Sequence, residues 1–248
     1  MEVTEIRLNK YLSEAGVCSR READRQIEEG HVLVNGKTAT KGQKVKKTDC
    51  VEYCGREVMG TPEAVLLLLN KPVGIVCTAE KREKHNVVDF MGYPVRLYPV
   101  GRLDKNSRGL LLMTNQGELV NQIMRSRYYH EKEYIVRVDR PIDAAFIKRM
   151  AAGVFLPELD VTTRPCKVEK ISKFTFRIIL TQGLNRQIRR MCEALGYKVD
   201  VLKRIRIMNV ELGDLKPGQV RELTEQELKE LYGTVKEREN ERTGQPSE

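Results

Sequence analysis

Several absences narrow the field first. The longest apolar run, Ala64 to Leu69, is six residues, and a membrane-spanning helix needs about twenty. Met1 to Lys10 carries no apolar stretch of the kind a secretory leader has, so none is expected. The three histidines, His31, His85 and His130, are too dispersed to form a metal cluster. The six cysteines, Cys18, Cys50, Cys54, Cys77, Cys166 and Cys192, contain no C-x2-C pair. Cys50 and Cys54 are spaced C-x3-C, but no second pair or nearby histidine completes a zinc set, so no metal is expected. Scattered cysteines with no targeting signal fit reduced thiols in the cytoplasm.

What is present points to a polyanion. The chain has 248 residues and is 40% hydrophobic, enough for a large domain plus a small one with proper cores. Its net charge is +9. Glu225 to Glu248 holds seven acids and four bases, so the remaining residues carry +12. That field favours nucleic acid or an anionic membrane surface.

The first fifty residues read as helix, helix, hairpin. Leu8, Tyr11, Leu12 and Ala15 lie on one helical face, and Gly16 ends the helix. Ser19-Arg20-Arg21-Glu22 has the form of a capping box and starts a second helix that buries Ala23 and Ile27. Asn35-Gly36 after Val32-Leu33-Val34 is a strong hairpin signal. R-L-N-K-Y-L-S-E-A-G, S-R-R-E-A and V-x-V-N-G together resemble the S4 RNA-binding domain. A helix N-terminus attracts phosphate through its free N–H groups and dipole, and Arg20 and Arg21 add charge there, so both are candidate RNA contacts, supported by Arg7, Lys10 and Arg25 at helical spacing. Met1 to Gly60 is only +1 overall, so any basic patch must arise by segregation of charge.

Cys54 to Glu63, polar and containing Gly55, Gly60 and Pro62, reads as a linker. The expected division is a domain over 1–54, a linker over 55–63, a second domain over 64–233 and an unstructured polar tail over 234–248. The second domain opens with a buried strand, Val65 to Leu69, running into Asn70-Lys71-Pro72-Val73-Gly74. Its centre is the stretch from Val100 to Leu112, where two apolar runs flank a polar loop containing one carboxylate, Asp104, among Arg102, Lys105 and Arg108. Strands that hold a short charged loop present one reactive group with little freedom.

Gly101-Arg102-Leu103-Asp104-Lys105-Asn106-Ser107-Arg108-Gly109-Leu110-Leu111 resembles the catalytic motif G-R-L-D-x-x-S-x-G-L-L of the RsuA/RluA-type pseudouridine synthases. N-K-P-x-G at Asn70 to Gly74, E-K-E-Y at Glu131 to Tyr134 and Q-G-L-N-R-Q-I-R-R-M at Gln182 to Met191 extend the likeness over nearly the whole chain. Within the family, the third motif together with H-E-K-E-Y and R-I-M-N-V is similar to the F-type branch of the large-subunit enzymes. The resemblance implies an α+β fold: a small N-terminal S4-like RNA-binding domain, then a mixed, mainly antiparallel β-sheet with flanking helices and a cleft across it. It implies Asp104 as nucleophile, Tyr134 stacking on the base and moving the C5 proton, and Arg189 paired with Asp104. Ile188 would pack against the pocket and Arg102 would fill the gap left by an extruded base. Leu103, Lys105, Leu184, Asn185, Arg186, Gln187 and Lys71 complete the candidate RNA contacts.

The residues by themselves permit that chemistry. Moving a base from N1 to C5 needs no energy source, and a carboxylate can attack the sugar or stabilise its cation. The cations around Asp104 favour its charged form. A glycosidase needs two carboxylates at a set separation, and this loop offers one. The resemblance implies a monomer acting without cofactor or metal on a stem-loop of large-subunit ribosomal RNA, or on a pre-ribosomal particle, with a tRNA stem-loop as a further substrate. The competing reading is a non-catalytic S4-type RNA-binding or ribosome-assembly protein, which would need the basic surface but neither Asp104 nor Tyr134. Gly183 to Arg206, with seven bases and two acids, is the most basic stretch, and Val201 to Ile207 alternates as a strand with a basic face.

Overall fold

A computed structural model describes residues 5–46, 48–60, 62–80 and 82–243. Two compact units emerge. One gathers the chain up to Val65 together with Tyr93–Leu97 and Asn115–Gly117; the other holds Leu66–Gly92, Tyr98–Thr114 and the chain from Glu118 onward. Buried Asn115 ties its short segment to the first unit, accepting from the Val65 N–H at 2.9 Å and donating to the Glu63 carbonyl at 2.8 Å.

The first unit packs α1 (Leu8–Glu14) on α2 (Arg20–Glu28) against a small antiparallel sheet of β1 (Val32–Val34), β2 (Lys37–Thr38), β3 (Val51–Tyr53) and β4 (Arg56–Glu57), in the order β2-β1-β3-β4. Ser19 caps α2, its hydroxyl accepting from the Glu22 N–H at 3.2 Å. Asn35 and Gly36 both have positive φ, as a two-residue hairpin of this twist requires. Leu8, Leu12, Ala23, Ile27, Val32 and Val51 form the core. The linker reading from residue 55 does not hold. Cys54 and Gly55 both have positive φ and turn a second hairpin, β3 into β4, and the Val58 N–H donates to Val51. Turn residues are as polar as linker residues, so composition hid the strand.

The second unit is built on a nine-stranded sheet. Its strands are β5 (Leu66–Lys71), β6 (Tyr98–Val100), β7 (Arg108–Thr114), β8 (Lys132–Val138), β9 (Lys167–Ser172), β10 (Thr175–Leu180), β11 (Val199–Ile207), β12 (Val210–Glu211) and β13 (Val220–Glu222). The path is β9-β10-β8-β11-β7-β5-β13, with β6 on β7 and β12 on β11. Every pairing is antiparallel except β11 with β7, so the sheet is mixed and mainly antiparallel as expected. Continuous apolarity in β5 accords with its interior place in the sheet, paired with β7 on one edge and β13 on the other, with Leu66 to Lys71 all buried.

The α-helices after the first unit are α3 (Val87–Met91), α4 (Gly117–Met124), α5 (Ala144–Ala152), α6 (Gln187–Ala194) and α7 (Glu225–Thr243). The last corrects the sequence reading of 234–248 as unstructured. The chain stays helical to Thr243, and residues 244–248 lie outside the described residues. Thr224 and Glu227 cap its start reciprocally. Leu231 and Val235 bury into the cluster of Leu66, Leu110, Leu112 and Ile207, and the Lys, Glu and Arg residues that follow are good helix formers. No helix among the described residues is long and apolar enough to cross a membrane.

Candidate active site

The loop from Gly101 to Ser107 crosses from β6 to β7 and is held at almost every residue. The Leu103 N–H donates to Cys77 Sγ at 3.3 Å, the Gly74 N–H to the Lys105 carbonyl at 2.8 Å, and the Ser107 N–H to the Asp104 carbonyl at 2.9 Å. Arg189 Nη2 reaches the Asn106 carbonyl at 3.2 Å and Ser107 Oγ at 3.4 Å. These bonds leave the loop backbone little freedom, so Asp104 is presented on a rigid mount. Gly109, expected at the loop's end, lies inside β7. Its φ is +105°, and a Cβ there would collide with the Arg204 carbonyl, so glycine is what lets β7 and β11 pair in parallel here.

Asp104 opens into a cavity of about 390 Å³. Arg102, Leu103, Tyr134, Leu184, Asn185, Arg186, Gln187 and Ile188 also line it, joined by Lys132, Gln182, Leu202 and Arg204. Among the described residues Asp104 is the only carboxylate on its wall. Arg189 Nε lies 3.6 Å from Asp104 Oδ2 and Arg186 Nη1 lies 3.8 Å from the same oxygen. Arg189 is buried and anchored through Nη1 to the Val199 carbonyl at 3.2 Å, and its Nε, which faces the carboxylate as an ion pair, makes no hydrogen bond. Arg186 is placed by backbone geometry: its φ of 50° at the N-terminus of α6 is left-handed, and its side chain stays exposed at the cavity mouth. Tyr134 is half-buried on β8, opposite Ile178 on β10 and Arg204 on β11.

Several candidate RNA contacts are not surface groups. Lys71 is 0% exposed, and its ammonium donates to the Pro72 carbonyl at 2.8 Å and the Ile75 carbonyl at 2.7 Å. It folds the N-K-P-V-G turn that braces the Asp104 loop, and burial lowers its pKa. Leu103 and Gln187 line the cavity but are buried; Gln187 Oε1 accepts from the Leu184 N–H at 3.0 Å and shapes the turn into α6. Lys105 is exposed and is not on the cavity wall. The basic strand face at Val201 to Ile207 also needs correction. A bulge shifts the register so that Tyr134 faces Arg204 while Glu133 faces Arg206. The two arginines therefore point to opposite sides of the sheet, and Arg204 is 1% exposed.

In the first unit Arg20 and Arg21 are exposed at the start of α2, and Arg20 reaches Asn9 Oδ1 at 3.4 Å. Arg25, counted with them, is instead paired along its own helix with Glu22 and Glu29. In the loop before β8, Tyr128 is buried but Tyr129 is 53% exposed, with the Arg164 guanidinium 4.3 Å from its ring. Lys132 and Arg204 are the cationic wall residues that sequence reasoning left out of the candidate site, as it did Gln182 and Leu202. Lys132 sits two positions before Tyr134 on an alternating strand, and that period places both on one face. Among the described residues no group of three or more His, Cys, Asp or Glu side chains is placed to hold a metal ion.

Residues 65–194 match the RNA pseudouridylate synthase family, and residues 6–51 match the S4 domain. The chain belongs to the RNA pseudouridylate synthase family. The dual-specificity RNA pseudouridine synthase RluF of Escherichia coli (strain K12) is 54% identical over 93% of this chain and 79% of its own length. The ribosomal large subunit pseudouridine synthase B of Bacillus subtilis (strain 168) is 41% identical over 91% of this chain and 95% of its own. A crystal structure of a pseudouridylate synthase superposes with a TM-score of 0.67 at 28% identity, over 91% of this chain and 99% of that one. The synthase thus has the expected α+β fold, stands nearer the F-type than the B-type enzyme, and is an isomerase rather than a purely RNA-binding protein.

Proposed function

We propose that this synthase converts one uridine of a large-subunit ribosomal RNA stem-loop to pseudouridine, with a tRNA stem-loop as a second substrate. The dual specificity printed in the name of its 54%-identical relative supports the pair of substrates. The observation that carries the site assignment is a lone cavity carboxylate, Asp104, held on a rigid loop and faced by Arg189 and Arg186. In this reading Asp104 attacks the flipped nucleotide and Arg189 orients it. Tyr134 stacks on the base and takes the C5 proton, Ile188 packs beneath the base, and Arg102 enters the space the nucleotide vacates. Extrusion costs a few kcal/mol, roughly, and is cheapest in loops and bulges. Arg20 and Arg21 on the S4-like domain, with Asn185, Arg186 and Lys105, contact phosphates. The S4-like domain extends to Val58 and the catalytic domain starts at the strand from Leu66. The enzyme acts as a cytoplasmic monomer on naked RNA or a pre-ribosomal particle.

Release of tritium from C5-labelled rRNA transcripts tests the assignment. The Asp104→Asn variant is expected to bind the transcript normally and release no label. Full turnover by that variant would remove Asp104 from the chemistry. Affinity is also expected to fall steeply between 50 and 200 mM salt, roughly tenfold or more for several phosphate contacts.

A further inference from the structure

The cavity wall holds more positive charge than one aspartate requires. Lys132 and Arg204 both line it, at 4% and 1% exposure, and among the described residues neither meets a carboxylate. Lys132 Nζ donates to the His130 carbonyl at a long 3.3 Å. Arg204 Nε donates to the Leu110 carbonyl at 2.7 Å, but its Nη2 is buried without a hydrogen-bond partner. Arg204 lies directly across the strands from Tyr134, and Lys132 lies two residues before it on the same face, so both cations flank the ring assigned to the base. Unpaired buried cations cost stability and persist where something repays them, which makes this pair a candidate site for an anion that arises only during reaction.

We propose that Lys132 and Arg204 form the site for the negative charge that develops on the carbonyl oxygens of the uracil ring, a proposal that rests on Asp104 being the group that attacks the uridine. The charge appears whichever atom is attacked. If the carboxylate bonds to C1′, the C1′–N1 bond breaks and its electron pair leaves with the base as a uracil anion shared among N1, O2 and O4. If it bonds to C6, the C5=C6 pair moves toward C4 and O4 becomes an enolate. In the second route the C1′–N1 bond breaks after the addition; in both, C5 then joins C1′, the carboxylate is released, the C5 proton is lost and N1 gains one, so the product is an isomer and no other reactant is consumed. The substrate base is neutral, so cations that wait for the anion stabilise the reaction more than the ground state.

Burial and the neighbouring Arg204 pull the Lys132 ammonium down to about 8. The other charged or titratable groups around it are His130 in the preceding loop, and Arg102, Asp104, Tyr134 and Arg186 around the same cavity. Single-turnover tritium release by the full-length enzyme, with transcript affinity measured alongside, tests the site. Lys132→Met is expected to slow the chemical step by roughly 100-fold or more while RNA affinity stays within about threefold. The wild-type rate is expected to fall above about pH 8, and Lys132→Arg to retain most activity and lose that fall, because its guanidinium does not deprotonate. Ionisation of the substrate's own N3 would leave the alkaline fall in place in Lys132→Arg, and that result would overturn the proposal. So would a Lys132→Met rate within threefold of wild type. Should Lys132→Met fail to fold, the pH profile of Lys132→Arg decides alone. Asp104→Asn run in parallel separates the two levels: its inactivity with an unaffected Lys132→Met sinks only the anion site, whereas its full turnover sinks both.

Discussion

The two faces of β8 treat charge in opposite ways. On one, Glu133 is met by Arg206 Nε at 2.7 Å and by Arg177 Nε at 3.3 Å, while Arg206 also reaches Glu131 at 2.8 Å and the Met208 carbonyl at 2.7 Å. On the other, Lys132 and Arg204 flank Tyr134 with no acid partner among the described residues, and Arg204 keeps an unused nitrogen. The first face is closed in the sense that each charge meets an opposite one, which is what a structural ion cluster needs. The second is open, and it borders the cavity. Adjacent residues of one strand are thus divided between holding the sheet together and meeting a ligand, and the division follows from pleat alternation plus one bulge.

Breaking each side in turn sharpens the contrast. The largest effect belongs to the open face: Asp104→Asn is expected to lose roughly a thousandfold or more in turnover with little change in melting temperature, read by single-turnover kinetics beside thermal unfolding. Gly109→Ala comes next and acts on the fold. A side chain at φ +105° collides with the Arg204 backbone, so a loss of about 3 kcal/mol or more is expected in urea unfolding. Arg206→Met on the closed face is expected to cost about 2 kcal/mol by leaving Glu133 with Arg177 alone and removing the partner of Glu131, while turnover per folded molecule stays near wild type. Lys132→Met should show the reverse, with activity lost and stability kept.

The last effect, confined to acid pH, concerns His130. Its ring is buried, its Nε2 has no hydrogen-bond partner, and burial, then Lys132 and Arg238, lower its pKa to about 4. The unfolded chain takes up this proton near 6.5 and the folded chain refuses it until about 4, so stability falls as pH drops through that window. His130→Gln should flatten the decline, shrinking the difference in unfolding free energy between pH 7 and pH 4.5 by about 2 kcal/mol.

Much of this was legible before any coordinates. The capping box at Ser19, the Asn35-Gly36 turn, the glycine stop after α1 and the motif around Asp104 are local signals, and each depends on neighbours within a few residues. The misreadings share a cause. Lys71 and Arg204 were read as surface cations because lysine and arginine usually are; their burial depends on carbonyls of Pro72, Ile75 and Leu110 that only folding brings to them. The β3–β4 hairpin was lost among polar residues, and the length of α7 turns on where Leu231 and Val235 find an apolar surface.

By itself, the order of amino acids determined that there would be one carboxylate among cations on a short loop between two strands, a following helix whose start carries arginines, and an S4-like unit ahead of them. Tertiary structure alone decided which cations would meet that carboxylate, which would be sealed beneath the cavity, and which would neutralise acids on the far side. Charge has no preferred position along a chain; its role is set by the groups within a few ångströms of it, and those are supplied by strands far apart in sequence.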